Sequence, residues 1–267
     1  MFRCIQEITG KISAPSSACI KSSTGKILYE PEDAARRWSE YLGQLFEDVR
    51  TVKEINQLEN LSGPAITKDK VRWALQNMKP NKATGPDEVV TEMLKALGET
   101  GINLLHNLAN KIYNSGEIPD DMLKSIFIAL PKKPHTLDCD QHRTISLMTH
   151  TLKLLLKIIL ERCRSKFRPE IAQCQYGFMP DRGTRNVVVI LQHQQNLYIY
   201  FIDYKKAFYR VRHEHLFKRL KDIGLDDKDY RVIWNLYDQQ KGAIKLPNGL
   251  TEWIETNCGV RELCDEP

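Results

Sequence analysis

Residues 197–203 read Leu-Tyr-Ile-Tyr-Phe-Ile-Asp, an unbroken apolar and aromatic run that stops on a carboxylate. Runs of this length, rich in aromatic and β-branched side chains, predict a strand buried on both faces, with a helix to follow over 204–222. Asp203 then sits at the strand's end, beside the turn into the helix. A rigid element that presents a carboxylate there suits a metal ligand. Mg²⁺ takes one or two carboxylates together with substrate phosphates, and nucleotidyl transfer commonly clamps its oxygens between two such ions. For an isolated aspartate at the same place a helix N-cap is the better reading, so its neighbours have to decide.

Elsewhere the pattern mixes helices and strands. Residues 10–30, rich in Ser, Thr, Gly and Lys, read as an exposed connector. Pro31-Glu32-Asp33 opens a helix whose Ala34, Trp38, Tyr41, Leu42, Leu45 and Phe46 share one face. Thr67 is placed to cap a helix running to Met78. Two prolines and a glycine make 79–87 a structured loop. Helices are expected over 88–98 and 101–114, and a strand over 125–130, stopped by Pro131. Residues 151–167 predict a basic amphipathic helix that buries Leu152, Leu155, Leu156, Ile159 and Leu160. Pro247-Asn248-Gly249 suggests a hairpin. Without a regular β-α alternation, the fold class is α+β.

The net charge of +5 is unevenly spread. Residues 131–220 carry 17 basic and 7 acidic side chains, whereas 221–267 carry 6 and 10. Such a block attracts polyanions, though a solvated charged face has the same composition. The seven cysteines have no Cys-x-x-Cys spacing, which argues against a disulfide framework and a ribbon-type zinc site. Reduced thiols in a cytoplasmic or nuclear protein are the simpler expectation. His213-Glu214-His215 lacks zinc-protease spacing. No apolar run is long enough for a membrane span, and no signal peptide is expected at the N-terminus.

The segment FIDYKKAFYRV at 201–211 resembles the motif of non-LTR retrotransposon (LINE-type, jockey- or RTE-like) reverse transcriptases, in which a strand ends in the catalytic Asp and Lys-Ala-Phe follows. Four other segments match the same family in the same order. They are NKATGPDEVVTEMLK (81–95), IFIALPKKPHTLDCDQHRTISLMTHTLKLLLKIILERC (126–163), QYGFMPDRGTRNVV (175–188) and Asn257-Cys258-Gly259-Val260-Arg261. The resemblance implies a right-hand polymerase with a connector and N-terminal helix over 1–60. A partial reverse transcriptase domain follows over 61–267, with fingers at about 81–190 and partial palm at about 191–267, the thumb absent. It makes Asp203 the catalytic and Mg²⁺-binding residue. It gives Arg143 the incoming nucleotide's triphosphate, with Lys132 or Lys133 as helpers, and sets Phe208 under the sugar. It lays Gly177, Phe178, Arg182, Lys205 and Lys206 along the template. The implied partners are an RNA/DNA template-primer and a dNTP.

The departures matter as much. The family's Ala-Phe-Asp is Ala207-Phe208-Tyr209, and its Gly-Val-Arg-Gln-Gly is Gly259-Val260-Arg261-Glu262-Leu263. The Tyr-Ala-Asp-Asp hairpin has no counterpart in these residues. The expectation is therefore a truncated polymerase remnant that is inactive alone, its 197–203 strand left with an open edge and its stability low without a partner. A non-catalytic nucleic-acid-binding module using 132–168 and 182–212 is the alternative.

Overall fold

A computed structural model describes residues 19–48, 61–192 and 198–260. A hairpin of β1 (Ile20–Lys21) and β2 (Ile27–Leu28) opens it, followed by α1 (Pro31–Leu45). Within the expected connector, then, residues 20–28 are paired, and Ile20 is buried because it packs against α1. Helices α2 (Lys68–Gln76), α3 (Thr91–Ala96), α4 (Gly98–Ser115) and the short α5 (Asp120–Leu123) lead into β3 (Lys124–Pro131). Strand β4 (His142–Leu147) and α6 (His150–Phe167) come next, then α7 (Thr184–Gln192), α8 (His213–Asp222) and α9 (Asp227–Asp238). The chain closes on β5 (Lys241–Leu246), β6 (Gly249–Leu250) and β7 (Ile254–Glu255). The mixture is α+β.

Local chemistry explains most boundaries. Pro31 stands in the first turn of α1, with Glu32 and Asp33 at the positive end of its dipole. The Thr67 side chain accepts from Lys70 N at the start of α2, and that of Thr149 from Leu152 N at the start of α6. Gly116 ends α4 at φ +79°, the left-handed turn that glycine adopts without a Cβ clash. The helix expected over 88–98 begins only at Thr91, because Glu88 has φ +55°.

The sheet runs β4-β3-β5-β6, with β7 also on β5. β3 pairs antiparallel with β4 (Ile128↔Ile145) and parallel with β5 (Ile126↔Ala243). Pro247-Asn248 is the two-residue loop between β5 and β6, as the hairpin signal suggested. At Gly242 a Cβ would stand 2.1 Å from the Phe127 ring, so glycine is what lets that ring lie flat across β5. One face of the sheet, Phe127 and Ile244, packs under Trp38, Tyr41, Leu42 and Phe46 of α1 and its end. A larger core joins α2, α4, α6 and α9 through Val71, Ile112, Leu152, Leu155, Ile158 and Val232. The α6 stripe is broader than periodicity predicts: Leu154 and Ile158 are buried as well, and Leu160 is exposed. Phe217, Leu220 and Trp234 clasp α8 to α9.

Two expectations fail around the opening motif. Residues 198–203 form no strand; Tyr198, Tyr200 and Phe201 are 99%, 87% and 86% exposed. Among the described residues, no strand lies alongside to take their N–H and C=O groups, and a strand exists only with a partner. Leu197 lies outside the described residues. The helix expected over 204–222 begins at His213, because Lys206 turns left-handed at φ +56° and a single 3₁₀ turn follows at Phe208–Arg210.

Candidate nucleic-acid and nucleotide interface

Asp203 is exposed, at the end of the unpaired stretch. Among the described residues it makes no hydrogen bond or ion pair, and no three His, Cys, Asp or Glu side chains are grouped to hold a metal ion. It is neither at a strand end nor capping a helix.

The next turn is fixed by contacts the sequence did not announce. Lys206 Nζ donates to Asp140 Oδ1 at 2.5 Å and lies 4.9 Å from the centre of the Tyr41 ring. This bond from Lys206 is the main reason the Asp140 carboxyl sits below the usual aspartate range. Burial, reinforced by Asp140, pushes the Tyr41 phenol well above its ordinary value. Lys132 Nζ reaches the Asp140 carbonyl at 3.3 Å. Asp140 thus gathers two lysines that the resemblance assigned to nucleotide and template. Neither Asp140 nor Tyr41 carries a local motif, since their partners come from distant parts of the chain. Lys205 and Lys133 are exposed.

Tyr209 stands where the resemblance leads one to expect Asp. Its hydroxyl accepts from Thr144 N (3.2 Å) and shares a 2.9 Å hydrogen bond with Thr144 Oγ1. It donates to Thr144 O at 3.0 Å. The phenol therefore docks on β4 at the residue after Arg143, with its ring against Phe46. Behind it, Val260 N donates to Phe208 O and Gly259 N to Val211 O, at 2.8 and 2.7 Å. Gly259 has φ +83°, and a Cβ there would meet Tyr209 O at 2.9 Å. The Gly-Val element is thereby laid along the 208–212 segment. Arg261 and Glu262 lie outside the described residues.

Phe208 is 42% exposed and meets Phe178 edge-on, centroids 5.9 Å apart. It is not the core aromatic of a following helix. Phe178 is itself left-handed at φ +59° and 73% exposed. Next to it, the Gly177 carbonyl accepts from Gln175 Nε2 at 2.9 Å. Arg182 Nη1 ties the loop by donating to Gln173 O and Gln175 O at 2.8 and 3.2 Å, and its guanidinium lies 5.9 Å from the Tyr176 ring. The structure thus brings Phe178 to Phe208, and Lys132 to Lys206. Arg143 is exposed on β4, beside the Tyr209 anchor. Among the described residues, nothing joins Asp203 to any of these groups by hydrogen bond or ion pair.

The five described cysteines, at 19, 139, 163, 174 and 258, are free thiols. Burial pushes Cys139 and Cys163 up to about 11, so neither is a ready thiolate. No helix among the described residues is long and apolar enough to cross a membrane.

The profile described as reverse transcriptase (RNA-dependent DNA polymerase) matches residues 130–262. The chain is 25% identical to the uncharacterized 149 kDa protein of transposon TX1 from Xenopus laevis, over 92% of this chain and 20% of that protein. It is 23% identical to the RNA-directed DNA polymerase from mobile element jockey of Drosophila funebris, over 88% of this chain and 28% of that protein. It is also 26% identical to the retrovirus-related Pol polyprotein of the type-1 retrotransposable element R2 from Nasonia vitripennis, over 67% of this chain and 18% of that protein. The chain therefore spans less than a third of the length of these relatives.

Proposed function

Since the chain belongs to the reverse transcriptase (RNA-dependent DNA polymerase) family, on its LINE-type, non-LTR branch, we propose that it forms the fingers, about 81–190, and the first part of the palm, about 191–267, of an RNA-directed DNA polymerase of a mobile element. In that role it contacts an RNA/DNA template-primer and the incoming dNTP. The observation that carries this reading is the meeting of Phe178 with Phe208 inside the matched segment, the first mostly and the second partly solvent-facing. An aromatic pair outside the core suits a sugar and base better than it suits packing. Arg143 would hold the triphosphate in the planar fork of its guanidinium, with Lys132 beside it. Gly177, Arg182, Lys205 and Lys206 would lie along the template.

Members of the family use divalent metal ions to activate the attacking hydroxyl and stabilise the leaving phosphate. The residues here do not fit a two-ion centre. Asp203 is one carboxylate, and among the described residues no grouped set of metal ligands completes it. No step is derived through the ions. We propose instead that these 267 residues by themselves do not polymerise DNA. Primer extension with Mg²⁺ or Mn²⁺ checks this: no template-dependent product is expected, and product that disappears in Asp203→Ala overturns it.

The basic excess over 131–220 favours a second reading, a nucleic-acid-binding module without chemistry. Filter binding across a salt series tests what the two readings share. Affinity is expected to fall steeply with salt, and a flat dependence would remove nucleic acid from both.

A further inference from the structure

Between the β1–β2 hairpin, α1 and the 206–212 segment lies an open, polar cleft of about 920 Å³. It is built from different residues than Asp203, Arg143 and Phe208. Lys21, Arg37, Lys206, Arg210 and Arg212 line it, opposed by Glu47, Asp48, Asp138 and Asp140. Nearly equal numbers would argue for nothing if all were paired, but they are not. Asp140 is taken by Lys206 at 2.5 Å, Asp48 lies 3.6 Å from Arg212, and Asp138 lies 3.9 Å from Lys21. Glu47 is exposed to water.

Two guanidinium groups keep unused donors, Arg37, whose ion pair with Glu40 leaves Nη1 without a hydrogen bond, and Arg210. Arg37 Nη1 is buried and makes no hydrogen bond; the nearest carboxylate, Glu40, is 3.6 Å away, beyond hydrogen-bond reach. The same side chain is only 15% exposed, and its Nε makes a long 3.4 Å contact with Lys21 O. Arg210 faces the cleft with no ion-pair partner among the described residues. A buried, unsatisfied donor on a fixed cation calls for an explanation. An oxyanion is the group a guanidinium fork matches best.

We propose that this cleft is an anion subsite in which Arg37 and Arg210 hold a phosphodiester group of a nucleic-acid strand. The inference rests on the nucleic-acid reading above and adds a contact to which Arg37 of α1 contributes from outside the motifs that carry it. The cleft is open at the surface, as a continuous strand requires. The Lys206 ammonium already occupies the Tyr41 ring face, so the site offers phosphate contact without base stacking. It would therefore add affinity without sequence preference.

The test is fluorescence anisotropy of a 5′-labelled, twelve-nucleotide oligothymidylate on the whole chain over a salt series. Single strands lose about 0.7 of the log–log salt slope per phosphate contact. Arg37→Gln with Arg210→Gln removes one phosphate contact and should lower the slope by about 0.7 and weaken binding roughly tenfold at moderate salt. Lys111→Gln, on the exposed face of α4, should change neither beyond the loss of one distant charge. Arg37→Lys should recover the charge and only part of the affinity, with an unchanged thermal transition as the check on folding. Double-variant binding equal to wild type overturns the subsite and leaves the polymerase reading standing. Wild-type binding with no salt dependence removes both. A free-nucleotide site is told apart by competition. Displacement of the oligonucleotide by dTTP that disappears in the arginine variants would overturn the assignment to a strand.

Discussion

At the scale of single residues, Tyr209 does most to hold the motif turn in place. Its hydroxyl makes three contacts with one residue, Thr144, which is 4% exposed. Tyr209→Phe keeps the ring on Phe46 but leaves buried donors of β4 without their partner. It is expected to cost about 1–2 kcal/mol, read as a lower urea midpoint with unchanged slope. Asp229 provides a second residue-scale test. It is buried against Arg162, 3.6 Å away, across the α6–α9 contact, and burial raises its carboxyl above the ordinary 3.8. A raised folded value means the folded state holds the proton longer than the unfolded chain. Its contribution is therefore full below about pH 3.8 and is lost as pH rises through the folded value. Asp229→Asn should accordingly gain ground on the wild type between pH 4 and 7, measured as the difference in urea midpoints. A constant difference across that range would refute the assignment.

At the scale of elements, Gly85 shows how a loop can set the sheet's neighbour. A Cβ there would stand 2.5 Å from both Met148 C and Thr149 N, the backbone that leads into α6. Backbone cannot swing aside as a side chain can. Gly85→Ala should destabilise by about 1–3 kcal/mol, visible as a thermal transition lowered by several degrees. This contact also shows what the sequence made legible. The 79–87 segment could be read as a structured loop from its prolines and glycine, but the surface it docks on could not. The same division runs through the molecule. Trp38, Tyr41 and Leu42 announce the buried face of α1 by their spacing, and Thr67 and Thr149 announce helix starts, because those signals are local. The parallel pairing of Ile126 with Ala243, the Asp140–Lys206 ion pair and the docking of Tyr209 on Thr144 join residues remote in sequence, and no window of sequence contains them. The 198–203 run failed for the converse reason: strand propensity was legible, while the neighbour it needs was not among the described elements.

At the scale of the whole molecule, that run leaves a band of apolar surface facing solvent. Tyr198, Tyr200, Phe201, Ile202 and Tyr204 are each more than two-thirds exposed, and no strand among the described residues pairs with the backbone beneath them. Phe201→Glu removes no buried contact, so folding stability should move by no more than about 0.5 kcal/mol. Light scattering of concentrated protein should fall with the same substitution, because a charge in such a segment opposes strand-to-strand addition. A large drop in thermal midpoint would mean that Phe201 is packed. The sheet itself has a consequence in time. β3 finds its parallel neighbour β5 only after about 110 further residues have been made. At a synthesis rate of about 5–20 residues per second, the first half of the chain waits on the order of 5–20 s beside the ribosome with one sheet edge open. Codon usage and chaperone supply across that interval should therefore govern how much of this polypeptide survives to fold.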